Sequence, residues 1–194
     1  MHPFEFYLKI GFEHIADLAG YDHILFLVAL CAVYRIQQWR KILILVTAFT
    51  IGHSITLIFV SLDIFSFPSR IIKFLIPTTI FITAIYNVVD PKQIENTSRM
   101  RPRYAMALFF GLIHGMDFSN YFKALIMNPE EIVIPLLGFN IGIELGQLLI
   151  VLFIVSIAFV FLNVMRVKHR EWNVFISGVA LGMALISMIE NKFW

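Results

Sequence analysis

The chain is poor in charge. Asp, Glu, Lys and Arg make up 14% of its 194 residues, against about 25% in an ordinary soluble domain. It holds one cysteine, Cys31, so no intramolecular disulfide is available. Within its apolar run Cys31 reads as a small buried residue rather than a thiol nucleophile. The net charge of +2 is too small to suggest nucleic acid as a partner. No H-E-x-x-H, G-x-S-x-G or P-loop is present, which removes the common zinc-protease, α/β-hydrolase and ATP-driven pump signatures. No Met-rich or Cys-rich set of soft ligands suits Cu(I). MHPFEFYLKIGFEHIADLAG, at the start of the sequence, lacks the basic region and cleavage site of a secretory signal peptide, so the first span is expected to act as the insertion signal. Neither an internal repeat nor a low-complexity tract stands out.

Apolar residues are abundant: 59% of the chain, with a mean hydropathy of +0.83. That excess suits a protein whose outer surface faces lipid. Six candidate spans follow, over residues 21–36, 41–62, 71–89, 104–118, 132–165 and 172–189. The fifth is long enough to tilt or to break near its Gly-rich middle. Before the first, FEFYLKIGFEHIADLAG mixes apolar and acidic residues at helical spacing and reads as an amphipathic segment at the interface. DPKQIENTSRMRPR, residues 90–103, is a polar loop between spans. The expected fold is all-α: a polytopic membrane protein forming a single integral membrane domain over residues 1–194. It has about six transmembrane helices in a compact bundle, preceded by the amphipathic N-terminal segment.

With the N-terminus outside, ten Lys and Arg residues fall in cytoplasmic loops and five on the outer side. The positive-inside rule favours that orientation, and an even span count places both termini outside. Asp22 and His23 then stand at the outer end of the first span. His53 lies about twelve residues into the second, or about 18 Å from its inner end. His114 occupies a similar depth in the fourth, with Asp117 one turn further out. Glu144 lies within the fifth, on one helix face with Asn140 and Gln147. Ionisable groups at such depth are costly unless paired, coordinated or hydrated.

Each residue also has a plainer reading. A lone His in a span is more often a hydrogen-bonded packing residue than a ligand. Asp22 and His23 would serve as a helix cap. His14 and Asp17 would face water, and His2 and His169 lie in peripheral segments. Taken jointly, the span histidines with Asp22 and Glu144 point to a shared polar site. Imidazole and carboxylate together suit a divalent transition metal such as Ni²⁺, Co²⁺ or Zn²⁺. Pro77 is expected to kink the third span. Gly111 and Gly115, Gly178 and Gly182, and Gly138, Gly142 and Gly146 form small-residue stripes that let helices approach closely.

GFEHIADLAGYDHILFL (11–27), FTIGHSITL (49–57), FFGLIHGMDFS (109–119) and FNIGIELGQ (139–147) together resemble the HupE/UreJ family of bacterial membrane proteins. Seven residues separate His14 from Asp22, and the third motif carries one histidine, His114, which resembles the family's second branch. The resemblance implies a nickel or cobalt permease of the bacterial cytoplasmic membrane. It matches His14, Asp22 and His23 to the family's first metal-binding element, and His53, His114 and Glu144 to the later ones. The lipid bilayer and a metal ion are then the expected partners, with self-association left open.

A second functional class is an intramembrane zinc hydrolase acting on a lipid or membrane peptide. Asp117 or Glu144 would be its general base, and Ser54 would orient water or substrate. The outer-side bias of the candidates favours this class. For an exit toward the cytoplasm the chain offers only Thr47, Thr78, Thr79, Thr83 and Asn87. A third class is a scaffold whose polar cluster is structural.

Overall fold

The computed structural model describes residues 2–18, 20–65, 67–89, 100–126 and 132–194. Among them are seven α-helices: α1 Pro3–Ala16, α2 Asp22–Cys31, α3 Trp39–Ser61, α4 Ser69–Val89, α5 Arg101–Leu125, α6 Val133–Phe159 and α7 His169–Glu190. Four stretches, Ile36–Ser61, Ser69–Val89, Val133–Val164 and His169–Glu190, are long and apolar enough to cross a membrane. The protein is a multi-pass α-helical membrane protein.

Local chemistry sets several helix ends. His2 caps α1 through a capping box: its Nδ1 accepts from the Phe4 amide at 3.3 Å, while the Glu5 carboxylate accepts from the His2 amide at 3.3 Å. Pro3 and Pro102 sit at helix starts, where a missing N–H costs nothing. α4 continues through Pro77, which leaves the Lys73 carbonyl without its helical donor.

The expected first span is shorter than its sequence suggests. α2 has ten residues, about 15 Å of helix, and the chain turns at Ala32–Val33. α1 covers the missing length. Tyr7 Oη donates to the Leu125 carbonyl at 2.9 Å, which places the start of α1 beside the end of α5. Asn87 Nδ2 donates to the Ala29 carbonyl at 2.6 Å, and Arg103 Nη1 to Asn87 Oδ1 at 2.9 Å. The end of α2 therefore lies beside the start of α5. α1 and α2 together run from the Leu125 end of the bundle to the Arg103 end, interrupted between Ala16 and Asp22. α1 is amphipathic as expected, with Tyr7, Gly11 and Ile15 buried and Glu5, Lys9 and Glu13 exposed, but its buried face is covered along its length by α6. α6 does not break at its glycines; the irregularity is a π-turn, Val160–Val164, at its far end. In the 90–103 linker, residues 90–99 lie outside the described residues, and Arg101–Arg103 form the first turn of α5.

Two helix pairs organise the bundle. α3 runs parallel to α5, and α1 parallel to α6, each in direct backbone contact. A Cβ on Gly52 would collide with the Leu108 carbonyl oxygen, and one on Gly111 with that of Phe49. A Cβ on Gly142 would collide with the Leu8 carbonyl oxygen, and one on Gly11 with that of Phe139. The same reciprocal contact is thus made twice, and the two pairs run in opposite directions. Small residues permit such crossings, and Cα–H···O contacts add to them. The sequence carries the same correspondence: G-x-x-H-x-x-D occurs at 11–17 and at 111–117, and F-x-I-G at 49–52 and at 139–142. The bundle therefore contains an internal repeat, with its partners exchanged between halves.

Gly178 and Gly182 are the exception among the expected stripes. Nothing lies within 4 Å of a Cβ built on either, so α7 uses neither for close packing within the chain. Gly52→Ala and Gly142→Ala are each expected to destabilise the protein by about 1–3 kcal/mol through overpacking. Gly178→Ala is expected to be neutral, or stabilising by up to about 1 kcal/mol through helix propensity. Thermal unfolding in detergent distinguishes these outcomes, and equal effects at all three positions would contradict the assigned packing.

Candidate functional site

Four of the six histidines meet at the interruption between α1 and α2. His14 is in the last turn of α1, His23 in the first turn of α2, His53 past the middle of α3, and His114 on α5 between Gly111 and Gly115. Ring centroids are 4.7 Å apart for His14–His23, 5.1 Å for His23–His114, 5.6 Å for His14–His53 and 6.2 Å for His23–His53. The close crossing at Gly111 brings His114 and His53 together, because no side chain holds α3 and α5 apart. Aromatic rings seal the cluster: Phe26 and Phe49 pack against it from one side, Phe118 and Phe139 from the other. These two sides belong to separate hydrophobic cores, and the imidazoles lie between them.

The hydrogen bonding of this cluster is incomplete. His14 Nε2, His23 Nε2, His114 Nδ1 and both ring nitrogens of His53 are buried without a partner among the described residues, as is Asp22 Oδ1. Each such atom costs about 1–3 kcal/mol if left unsatisfied. Six in one place are not a packing solution. His114 Nε2 is the exception, 3.0 Å from Thr79 Oγ1. Thr79 spends its only proton on the Ile76 carbonyl at 2.7 Å, so its oxygen accepts from His114. That fixes His114 with the proton on Nε2 and a lone pair on Nδ1. A hydroxyl that orients an imidazole in this way is a usual second partner of a metal-ligating histidine.

Nitrogen donors suit Zn²⁺, Ni²⁺ and Co²⁺. Ligand bonds of about 2.0 Å around a tetrahedral ion set imidazole centroids about 5 Å apart. The observed spacings bracket that value. Even so, among the described residues no three His, Cys, Asp or Glu side chains converge as a ready coordination shell.

The remaining predicted residues lie around this centre. Tyr21, not Asp22, is the N-cap of α2, and no side chain caps that helix. Asp117 is within electrostatic reach of Asp22, and Lys73 of Asp117, which makes a charged layer toward the Leu125 end. Glu144 joins a different layer. Its Oε1 accepts from Thr47 Oγ1 at 2.7 Å, and Gln147 Oε1 accepts from Thr50 Oγ1 at 2.8 Å. Thr47 precedes His53 by six residues, about 9 Å along α3. Ser54 Oγ donates to the Thr50 carbonyl at 2.7 Å. Of the groups that a hydrolase would use, Glu144 and Ser54 are therefore engaged within the helix pair α3·α6 or within α3 itself, while Asp117 on α5 is not. The exit candidates also separate. Thr79, Thr83 and Asn87 are buried along one face of α4, a line from His114 to Arg103. Thr78 bonds the Phe74 carbonyl at 2.7 Å.

A broad cavity of about 650 Å³ opens at His14, lined also by Glu13, Asp17, Phe118 and Tyr121. The cluster is thus approached from a mouth carrying two acidic side chains. At the opposite end, a cavity of about 20 Å³ beside Thr83, Tyr86 and Arg103 is little larger than one water.

Sequence reasoning missed two features. Thr79, as the partner of His114, carried no signal beyond its polar face on α4. The repeat of G-x-x-H-x-x-D did carry one, since it places His14 and His114 at equivalent positions in the two helix pairs.

A multi-pass helical bundle with a buried, under-bonded histidine cluster at a helix interruption is the class these features define. The chain belongs to the HupE/UreJ family: the family model described as HupE / UreJ protein matches residues 1–191, in the second branch of that family. No curated protein and no solved structure matches it.

His53→Leu removes two unpartnered ring nitrogens and is expected to stabilise the metal-free protein by about 1–3 kcal/mol. Unfolding midpoints after chelator treatment test this. A lower midpoint for the variant would show that His53 is satisfied without a ligand.

Proposed function

We propose that the protein is a permease for a divalent transition metal, of the nickel or cobalt kind, with His14, His23, His53 and His114 as the central site. One observation carries the reading: six buried, unpartnered polar atoms gather where a membrane-traversing helix is interrupted. Secondary transporters commonly place their sites at discontinuous helices near the midplane, between oppositely oriented repeats. The parallel pairs α1·α6 and α3·α5, opposed in direction to each other, supply such repeats, and the cluster sits between them. With the Arg103 end cytoplasmic, the bundle has six passes and both termini outside.

The residues then have distinct tasks. Glu13 and Asp17 attract a hydrated cation to the outer mouth. Asp22 and Asp117 offset its charge as water is shed. The imidazoles rotate to ligate it, His114 already held by Thr79. Two polar lines lead inward. The line along α4 ends at the Arg103 guanidinium, which repels a cation. The line between α3 and α6 carries Gln147 and the Glu144 carboxylate, and is the favoured exit. Glu144 thus acts on the ion after the histidines rather than with them. Imidazoles must be neutral to ligate, so protonation of the rings opposes metal binding and would couple release to the proton gradient.

Purified protein in liposomes is expected to admit Ni²⁺ or Co²⁺ above empty vesicles. His53→Ala and His114→Ala should abolish the flux, and Thr79→Val should weaken binding about ten- to hundredfold. If the protein instead binds metal without flux and cleaves an added lipid or peptide, the zinc-hydrolase reading takes its place.

A further inference from the structure

A second cavity, unconnected with the histidine cluster, lies at the Arg103 end. It holds about 460 Å³ between α2, the end of α6 and the start of α7. Its floor is apolar, with Val28, Ile154, Ala158 and Ile176 among the lining side chains. Its rim is polar, from Arg35, Gln37, Asn163 and His169. The π-turn at Val160–Val164 adds a residue to the last turn of α6 and shapes this wall. Such bulges are frequent at functional sites.

Two polar atoms in this cavity's walls have no partner. Trp172 is 6% exposed, and its Nε1 is buried and unbonded. His169 hydrogen-bonds the Tyr34 backbone, and its Nε2 is left buried and unbonded. An indole N–H is a donor only and needs an acceptor. The first amide groups of α7 add to this, because no side chain caps that helix at Lys168. Arg35 lines the mouth, and Arg166, Lys168 and Arg170 are exposed on the adjoining connection and first turn of α7.

We propose that this cavity binds one anionic phospholipid. Its phosphate oxygens accept from Trp172 Nε1 and Arg35, and its acyl chain lies on the apolar floor. The charge of the mouth calls for an anion, and the apolar floor is what separates a lipid from free phosphate. Basic pockets between transmembrane helices on the cytoplasmic side take anionic headgroups, and this end is the cytoplasmic one under the positive-inside rule. The ligand differs from the transported ion in charge and in place, so the site stands whether or not the chain moves metal.

Native mass spectrometry of the full-length protein, delipidated and then titrated with phosphatidylglycerol, phosphatidylcholine or inorganic phosphate, tests this. One phosphatidylglycerol per chain is expected to persist, at least tenfold more strongly than phosphatidylcholine. Arg35→Gln and Trp172→Phe, which keeps the aromatic packing, are each expected to weaken it severalfold. Arg35 is exposed, so its variant is free of folding effects. Equal retention of phosphatidylcholine, displacement by millimolar phosphate, or unchanged binding in Arg35→Gln would each overturn the assignment. Metal flux measured on the same variants reports separately on the histidine site.

Discussion

Backbone-to-backbone contact at two glycine crossings is the constraint on which the rest depends. Where Gly52 meets Gly111, and Gly11 meets Gly142, the helices touch without intervening side chains. Lipid offers no hydrophobic drive for helices to associate, so contact area and fit must do it. The crossings also set the site. His114 is three residues from Gly111, His53 is next to Gly52, and His14 is three residues from Gly11. Any added methyl at these glycines moves an imidazole along with its helix. Packing and ligation are one problem in this bundle.

The cluster trades stability for readiness. Six unpartnered buried atoms are a standing cost, offset by aromatic packing on both sides and by the two cores above and below. A site that was already satisfied would have no reason to take a cation. One that was fully open would admit water to the centre. Thr79 shows the intermediate arrangement, fixing one ring while the others keep rotational freedom. The layer of Glu144 and Gln147 lies beyond the rings, and its bonds to Thr47 and Thr50 keep its acceptors occupied until they are displaced.

Much of this was legible in the sequence, for identifiable reasons. Composition revealed the membrane class because lipid imposes its own surface. His53 and His114 stood out because ionisable groups deep in apolar runs are costly. Their convergence did not, since it depends on which helices touch. The packing of helix α1 was not legible for a similar reason. Its charged face resembles that of an interfacial helix, and only α6 shows what covers the other face. Gly178 and Gly182 have the spacing of a packing motif without a partner, whereas Gly11, in no GxxxG pair, makes one of the tightest contacts. Glu144 reads as a ligand by depth alone; its carboxylate also accepts from a threonine on α3, three helices earlier in the chain. Spacing along one helix identifies a face and leaves open what that face meets.

The exchanged pairing has a consequence for how the chain is made. Gly52 and Gly111 are 59 residues apart, so α3 and α5 can join soon after α5 leaves the ribosome. Gly11 and Gly142 are 131 residues apart. At ordinary synthesis rates α1 waits on the order of ten seconds for its partner. During that interval Glu5, Lys9 and Glu13 have no covered face opposite them to repay their insertion. The buried face of α1 is therefore covered, and the histidine cluster closed, only when α6 arrives. A chain truncated before residue 133 would hold His53 and His114 in place and leave His14 outside.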